Sequence, residues 1–231
     1  LADLILRHVL QLCWRDARKK HQEQHHFAII SYGKLGGREL GYASDLDLIF
    51  LYDDPHPDAG EVYAKLAQRI NTVLSSYTSA GRLYETDLRL RPNGASGLLV
   101  SSIAAFEEYQ QKEAWVWEHQ ALTRARFCAG DAGVGAQFET IRKAVLCKPR
   151  DVAELRKEIV SMRQKMHDGH PNNSTLFDIK HDQGGMVDIE FMVQFLVLAH
   201  AHDQPRLLGN LGNIALLRIA GKLGLIDAAL A

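Results

Sequence analysis

Apolar residues recur at helical spacing at both ends of the chain and at strand spacing, or in short continuous runs, between them, which predicts an α+β domain followed by helices. Leu4, Ile5, Val9, Leu12 and Cys13 line one side of Leu1 to Lys20, an amphipathic helix, and the histidine-rich stretch His21 to His26 reads as a solvated linker. Phe27 to Ser31 is a short apolar strand that feeds a glycine-rich turn, and the run Leu-Asp-Leu-Ile-Phe-Leu from Leu46 is a second strand. Pro55 and Pro57 place Asp53 to Gly60 in a loop, after which Val62, Leu66, Ile70, Val73, Leu74 and Tyr77 trace one face of a helix. Alternation from Leu83 to Pro92 predicts another strand.

Further along, Leu98 to Val100 has strand character and Ser102 is placed to cap a helix carrying Ile103, Phe106 and Tyr109. Trp115 to Phe127 reads as a helix with less cleanly divided faces, in which Trp115 and Trp117 count as core rather than as platforms for adenine. On such a helix Arg124 and Arg126, two apart, cannot share a face, so at most one reaches a site. Small residues and glycines at 130–135 mark a change of composition, giving a packing helix and linker over 1–24, a first domain over 25–130 and a helical domain over 131–231. In the helical domain Asp151 and Glu154 form a capping box ahead of a stripe made by Val152, Leu155, Ile159, Met162 and Met166. Phe177 to Lys180 reads as extended, Val187 to Ala199 as a helix buried on most sides, and Leu211 to Leu223 as a helix that Gly224 ends. Asp188 and Glu190 fall about 200° apart on their helix and make no carboxylate pair.

Composition alters this picture only by exclusion. Apolar residues are 46% and charged residues 24% of 231, ordinary for a globular protein, and the formal net charge of −1 supplies no basic field for nucleic acid. That argues against a templated polymerase or a tRNA-tailing enzyme. Cys13, Cys128 and Cys147 lack metal or redox spacing, no stretch is apolar enough to span a membrane, and no targeting segment is visible, so the expected setting is the cytoplasm.

The chemistry lies in the turn and the strands beside it. Asp45 and Asp47 leave one face of a strand while Leu46, Leu48 and Phe50 leave the other, with the two carboxylates roughly 6 to 7 Å apart. Such a pair suits two Mg²⁺ ions about 3.5 to 4 Å apart that clamp the attacking and leaving oxygens of a phosphoryl displacement. The upstream glycines allow close approach of backbone N–H groups to a triphosphate. Candidate nucleotide contacts there are Gly33, Lys34, Gly36, Gly37 and Ser44. On the Leu83 to Pro92 strand, Glu85, Asp87, Arg89 and Arg91 share a face. Asp87 would complete a metal-binding and catalytic triad and accept the proton of an attacking hydroxyl, while Arg89 and Arg91 would pair with phosphate oxygens.

These residues resemble the nucleotidyltransferase superfamily that includes DNA polymerase beta. The run Tyr32 to Phe50 is more closely similar to the glutamine synthetase adenylyltransferase family, and Tyr84 to Pro92, Glu113 to Arg126 and Phe177 to Phe191 resemble that family's C-terminal copy. The resemblance implies a polymerase beta-like mixed sheet with flanking helices followed by an all-α bundle, and Mg²⁺-dependent transfer of AMP from ATP to a tyrosine of glutamine synthetase with release of pyrophosphate. It implies a PII signalling protein as a partner of the full-length enzyme, and it makes Lys180 a candidate phosphate contact. The chain then reads as a fragment without the adenylyl-removing half. Transfer to a small molecule, or a catalytically silent docking module, are the alternative readings.

Overall fold

In the computed structural model, which describes residues 1–209 and 211–231, the chain divides into two units, one made of Leu1–Ala114 with Arg124–Arg142 and one of Trp115–Thr123 with Lys143–Ala231. The fold is mixed α/β, with a five-stranded sheet in the first unit.

The first unit opens with helix α1 (Ala2–Arg15), which buries Ala2, Leu6, Val9, Leu10, Cys13 and Trp14. Leu4 and Leu12, expected on the buried side, are about half exposed. The helix is rotated so that the Asp3 carboxylate meets the Arg126 guanidinium at 2.8 and 2.9 Å and the Cys128 thiol at 3.1 Å. Strand β1 (Phe27–Ser31) is buried throughout, as an apolar run predicts, and leads into a single helical turn, α2 (Gly33–Gly36). Strand β2 (Leu46–Tyr52) runs antiparallel to β1, and helix α3 (Ala59–Ser75) follows.

The histidine-rich stretch is not a solvated linker. Asp54 accepts bonds from His21 Nε2 (2.8 Å), Gln22 Nε2 (2.7 Å) and the Tyr63 hydroxyl (2.9 Å), and the same hydroxyl accepts from the His26 amide at 3.0 Å. Tyr63 itself is stacked among Trp14, Phe27 and Tyr52. An aromatic core with one polar tip thus pins residues 21–26 against the sheet.

The strand expected over Leu83 to Pro92 shrinks to β3 (Thr86–Asp87), which is followed by β4 (Val100–Ser102). Both pair in parallel with β2, Leu46 and Asp47 opposite Thr86 and Asp87, and Phe50 to Tyr52 opposite Val100 to Ser102. Because β1 occupies the other edge of β2, β3 and β4 share one edge, and the chain between them has to leave the sheet and return. Helix α4 (Ile103–Lys112) starts on the expected cap, the Ser102 hydroxyl accepting from the Ala105 amide at 3.2 Å.

The helix expected from Trp115 to Phe127 is split. Helix α5 (Val116–Leu122) ends early, and Arg126 opens strand β5 (Arg126–Gly130), antiparallel to β1, so the helical-face argument for Arg124 and Arg126 does not apply. Trp115 and Trp117 are 71% and 38% exposed rather than core. Helix α6 (Ala132–Leu146) follows, and its Phe138 packs on Phe106 of α4.

In the second unit α5 packs on α7 (Val152–Asp168) and α8 (Met186–His200), with Gln120 bonded to Gln194 at 2.7 Å. The Asp151 carboxylate caps α7 by accepting from the Glu154 amide at 2.9 Å. Residues 177–180 form no strand and run into a turn held by the Asp178 carboxylate, which accepts from the Lys180 amide. Asp188 binds Arg163 at 2.5 Å and the Gly184 amide at 2.6 Å, joining the start of α8 to α7. Helix α9 (Asn213–Lys222) closes a core of Val193, Val197, Ala201, Leu207 and Leu216, and Gly224, at φ +71°, turns the chain away as the sequence predicts. No helix among the described residues is long and apolar enough to cross a membrane.

Candidate active site

The parallel register of β2 and β3 sets Asp47 directly across from Asp87, and Asp45 lies two residues before Asp47, just ahead of the first residue of β2. As a result Asp45, Asp47 and Asp87 each offer a carboxylate oxygen within 4.8 Å of the others. Among the described residues this is the one group of three or more acidic, histidine or cysteine side chains so arranged. Asp45 is exposed and the other two are half-buried, so the cluster is open to solvent on one side. Hard oxygen donors at this spacing fit Mg²⁺.

The electrostatics of the cluster are those of a site that favours a cation. Burial, then the charges of Asp45 and Asp87, push the Asp47 carboxyl up to about 6, with Arg124 and Arg89 opposing. Asp87 goes the other way, because hydrogen bonds from Arg89 hold it below the ordinary carboxylate range. The Arg89 Nε reaches both Asp87 oxygens at 3.0 and 2.9 Å, and Nη2 reaches one at 2.5 Å.

The turn that precedes the triad is shaped by what lies against it. Gly33 has φ +54°, and a Cβ there would stand 2.2 Å from Asp47 Oδ2, so glycine at this position makes room for the carboxylate. A Cβ on Gly36 would stand 1.8 Å from the Arg124 carbonyl oxygen, and one on Gly37 would stand 2.7 Å from the Arg124 guanidinium. The amides of Gly36 and Gly37 donate to the carbonyls of Tyr32 and Gly33 at 2.9 Å, within α2. Lys34 is exposed on that turn, and the Ser44 hydroxyl, next to Asp45, accepts from the Gly41 amide at 3.1 Å.

Of the two arginines after Asp87, only Arg89 faces the carboxylates. Arg91 donates to the carbonyls of Leu88 (2.6 Å), Ala95 (3.0 Å) and Gly97 (3.3 Å), which fixes the loop between β3 and β4. Lys180 belongs to the second unit, where its side chain is exposed. Arg124 is the cation that the helical reading of the sequence misplaced: buried just before β5, it pairs with Glu39 at 2.6 Å and bears on Asp47. Arg126 is committed to Asp3 and to the Leu35 carbonyl. Alternating small and charged residues ahead of the Phe127–Cys128–Ala129 run were the signal for a strand rather than a helix there.

Comparison with known proteins agrees with the resemblance of the motifs. A family model described as glutamate-ammonia ligase adenylyltransferase matches residues 1–141. The bifunctional glutamine synthetase adenylyltransferase/adenylyl-removing enzyme of Nitrosomonas europaea is 65% identical over 228 residues, 99% of this chain and 24% of that protein. The proteins of the same name from Aromatoleum aromaticum and Neisseria meningitidis serogroup A are 65% and 57% identical over 231 residues, 25% and 26% of their lengths. The chain therefore spans about a quarter of the length of the curated relatives it matches.

Proposed function

Since the chain belongs to the glutamate-ammonia ligase adenylyltransferase family, we propose that it transfers AMP from ATP to a tyrosine hydroxyl of glutamine synthetase and releases pyrophosphate. The observation that carries this reading is the convergence of Asp45, Asp47 and Asp87 within 4.8 Å on two adjacent strands. Their carboxylates would hold Mg²⁺, two ions in this reading, which supplies charge neutralisation of the triphosphate and of the leaving pyrophosphate. Lys34, Ser44 and Arg89 are the side chains proposed for the phosphates, with Gly33, Gly36 and Gly37 keeping the turn against the sheet. Arg91 and Lys180 are left with structural and second-unit surroundings respectively. Asp87 is the carboxylate of the triad proposed to accept the phenol proton. Positioning and electrostatics account for most of the acceleration in such transfers.

The relatives' name joins addition of the adenylyl group with its removal. The resemblance of Tyr84 to Pro92, Glu113 to Arg126 and Phe177 to Phe191 to the C-terminal copy is the ground for assigning addition. The test is to incubate the chain with glutamine synthetase, ATP and Mg²⁺ and to follow intact mass and pyrophosphate. A gain of one AMP unit on a tyrosine, matched by pyrophosphate and lost in Asp45→Asn and Asp47→Asn, is the expected result. Pyrophosphate without modified glutamine synthetase would point to a small-molecule acceptor, and neither product would refute the enzymatic reading.

A further inference from the structure

In the arrangement observed a metal ion at Asp87 has a competitor, because the Arg89 guanidinium already bonds both oxygens of that carboxylate. Oδ1 accepts from the Arg89 amide at 2.8 Å and from Nε at 3.0 Å, while Oδ2 accepts from Nε at 2.9 Å and from Nη2 at 2.5 Å. The single Nε hydrogen is shared between the two oxygens, so the fork and the amide bring three N–H donors to about four lone-pair sites and set a guanidinium charge against both oxygens. An ion shared by the triad competes with that guanidinium for Asp87, and like charges this close repel.

Displacement is easy for this arginine and not for its neighbours. The Arg89 side chain is 78% exposed, against 17% for Asp87, and it can swing about its own torsions while its amide stays on Oδ1. Arg91 is tied to three backbone carbonyls, and Arg124 is buried against Glu39 and Gly37. Once freed, a guanidinium at the rim of the triad meets the phosphate oxygens of a nucleotide placed there, which accept the same fork as a carboxylate does.

We infer that Arg89 is an exchangeable counterion: it neutralises Asp87 when no divalent cation is bound and moves to the nucleotide phosphates when such a cation takes Asp87. The inference rests on the proposed nucleotidyl-transfer site and adds a coupling to it. Metal and nucleotide each release what the other needs, so each strengthens the binding of the other, and the coupling is reciprocal.

The signs of the effects distinguish this from simpler roles. An arginine that only supports the fold weakens both ligands when removed, and one that only binds phosphate leaves metal binding alone. The experiment measures Mn²⁺ binding by the loss of its free EPR signal without nucleotide, then binding of α,β-methylene ATP with and without Mn²⁺, with melting curves as a check on folding. In Arg89→Ala we expect Mn²⁺ to bind about two- to fivefold tighter, in line with the strength of an exposed ion pair. The ATP analogue should bind about tenfold weaker, the loss of a charge-assisted hydrogen bond. The strengthening of Mn²⁺ binding by the analogue should shrink. Arg82→Ala, which removes a cation paired to Glu85 outside the triad, should leave Mn²⁺ affinity unchanged. Unchanged or weaker Mn²⁺ binding in Arg89→Ala, or equal tightening in Arg82→Ala, overturns the inference. Asp47→Asn separates it from the reading beneath it. If that variant binds Mn²⁺ like the parent, the triad itself is wrong. If it loses Mn²⁺ while Arg89→Ala gains nothing, only the counterion exchange fails.

Discussion

Replacing Asp47 with Asn should make the metal-free protein more stable at neutral pH while destroying the site. Burial and the charges of Asp45 and Asp87 raise this carboxyl from 3.8 to about 6. At about 1.4 kcal/mol per pKa unit, the upper bound on the cost of keeping it ionised is about 3 kcal/mol, and solvent screening of a half-buried group brings this to about 2 kcal/mol. The sign follows from proton binding. Between the unfolded value and about 6 the folded protein holds a proton that the unfolded chain has lost, so this group's contribution to stability falls as pH rises through that window and stays low above it. Asn keeps the shape and removes the charge. Thermal melts in EDTA should place Asp47→Asn about 4 to 8 °C above the parent at pH 8, with the gap closing towards pH 4.5. Adding Mg²⁺ should raise the parent and leave the variant where it was, reversing the order. A variant less stable than the parent at pH 8 in EDTA, or a gap that ignores pH, would refute the electrostatic account of the cluster.

Three further outcomes are expected. Gly33→Ala should cost about 1 to 2 kcal/mol from its left-handed backbone and, by driving Asp47 aside, weaken Mn²⁺ binding; Gly33→Asn should recover part of the stability in urea titrations but not the metal. Gly36→Ala has to part the turn from the Arg124 carbonyl and should lower stability by about 3 kcal/mol, read as a shift in the urea midpoint at unchanged slope. Burial by itself raises the Asp54 carboxyl, but bonds from the His56 amide, His21 and Tyr63 outweigh it and leave it below the ordinary range. Its contribution is therefore present above the unfolded value and lost as pH falls through the lower folded one. Asp54→Ala should cost about 2 to 3 kcal/mol at pH 7, and the difference from the parent in acid unfolding, followed by tryptophan fluorescence, should shrink only below about pH 4, as Asp54 takes up its proton in the folded protein.

The apolar run predicted β1 and the hydrophobic period predicted α3, while period and a terminal signal together predicted α4 from Ser102, α7 from Asp151 and α9 ending at Gly224, although Val73, Tyr77 and Val152, assigned to buried faces, are exposed. The spacing of Asp45 and Asp47 placed two carboxylates on one strand face, and Asp87 was recognised on its neighbour. The failures have particular causes. Alternation from Leu83 to Pro92 is that of a strand, but β2 offers the chain only Leu46 and Asp47 to pair with before β4 claims the same edge, and Arg91 spends its donors on the loop instead. From Trp115 to Phe127 a helix and a strand abut with no proline between them, and the close packing of Gly36 on the Arg124 backbone, which helps to place the break, is a tertiary contact. The histidines at 21 and 25 looked solvated because Asp54 and Tyr63, which hold that stretch in place, lie far along the chain.

Strand β3 is two residues long, and that brevity bears on how the site can change over time. The sheet's own integrity resides in β1 with its neighbours β2 and β5, and the aromatic core around Tyr63 sits beneath it. Asp87 is delivered by a segment that adds only a two-residue pairing to the sheet, while Tyr84, Leu88 and Leu99 on either side of it pack at the edge of the core. The Asp87 side chain itself faces the carboxylate cluster and not that core, so the third carboxylate can be exchanged while the scaffold persists. Gain and loss of chemistry are in this sense decoupled from gain and loss of the fold, which lets duplicated copies of the same architecture drift towards different tasks.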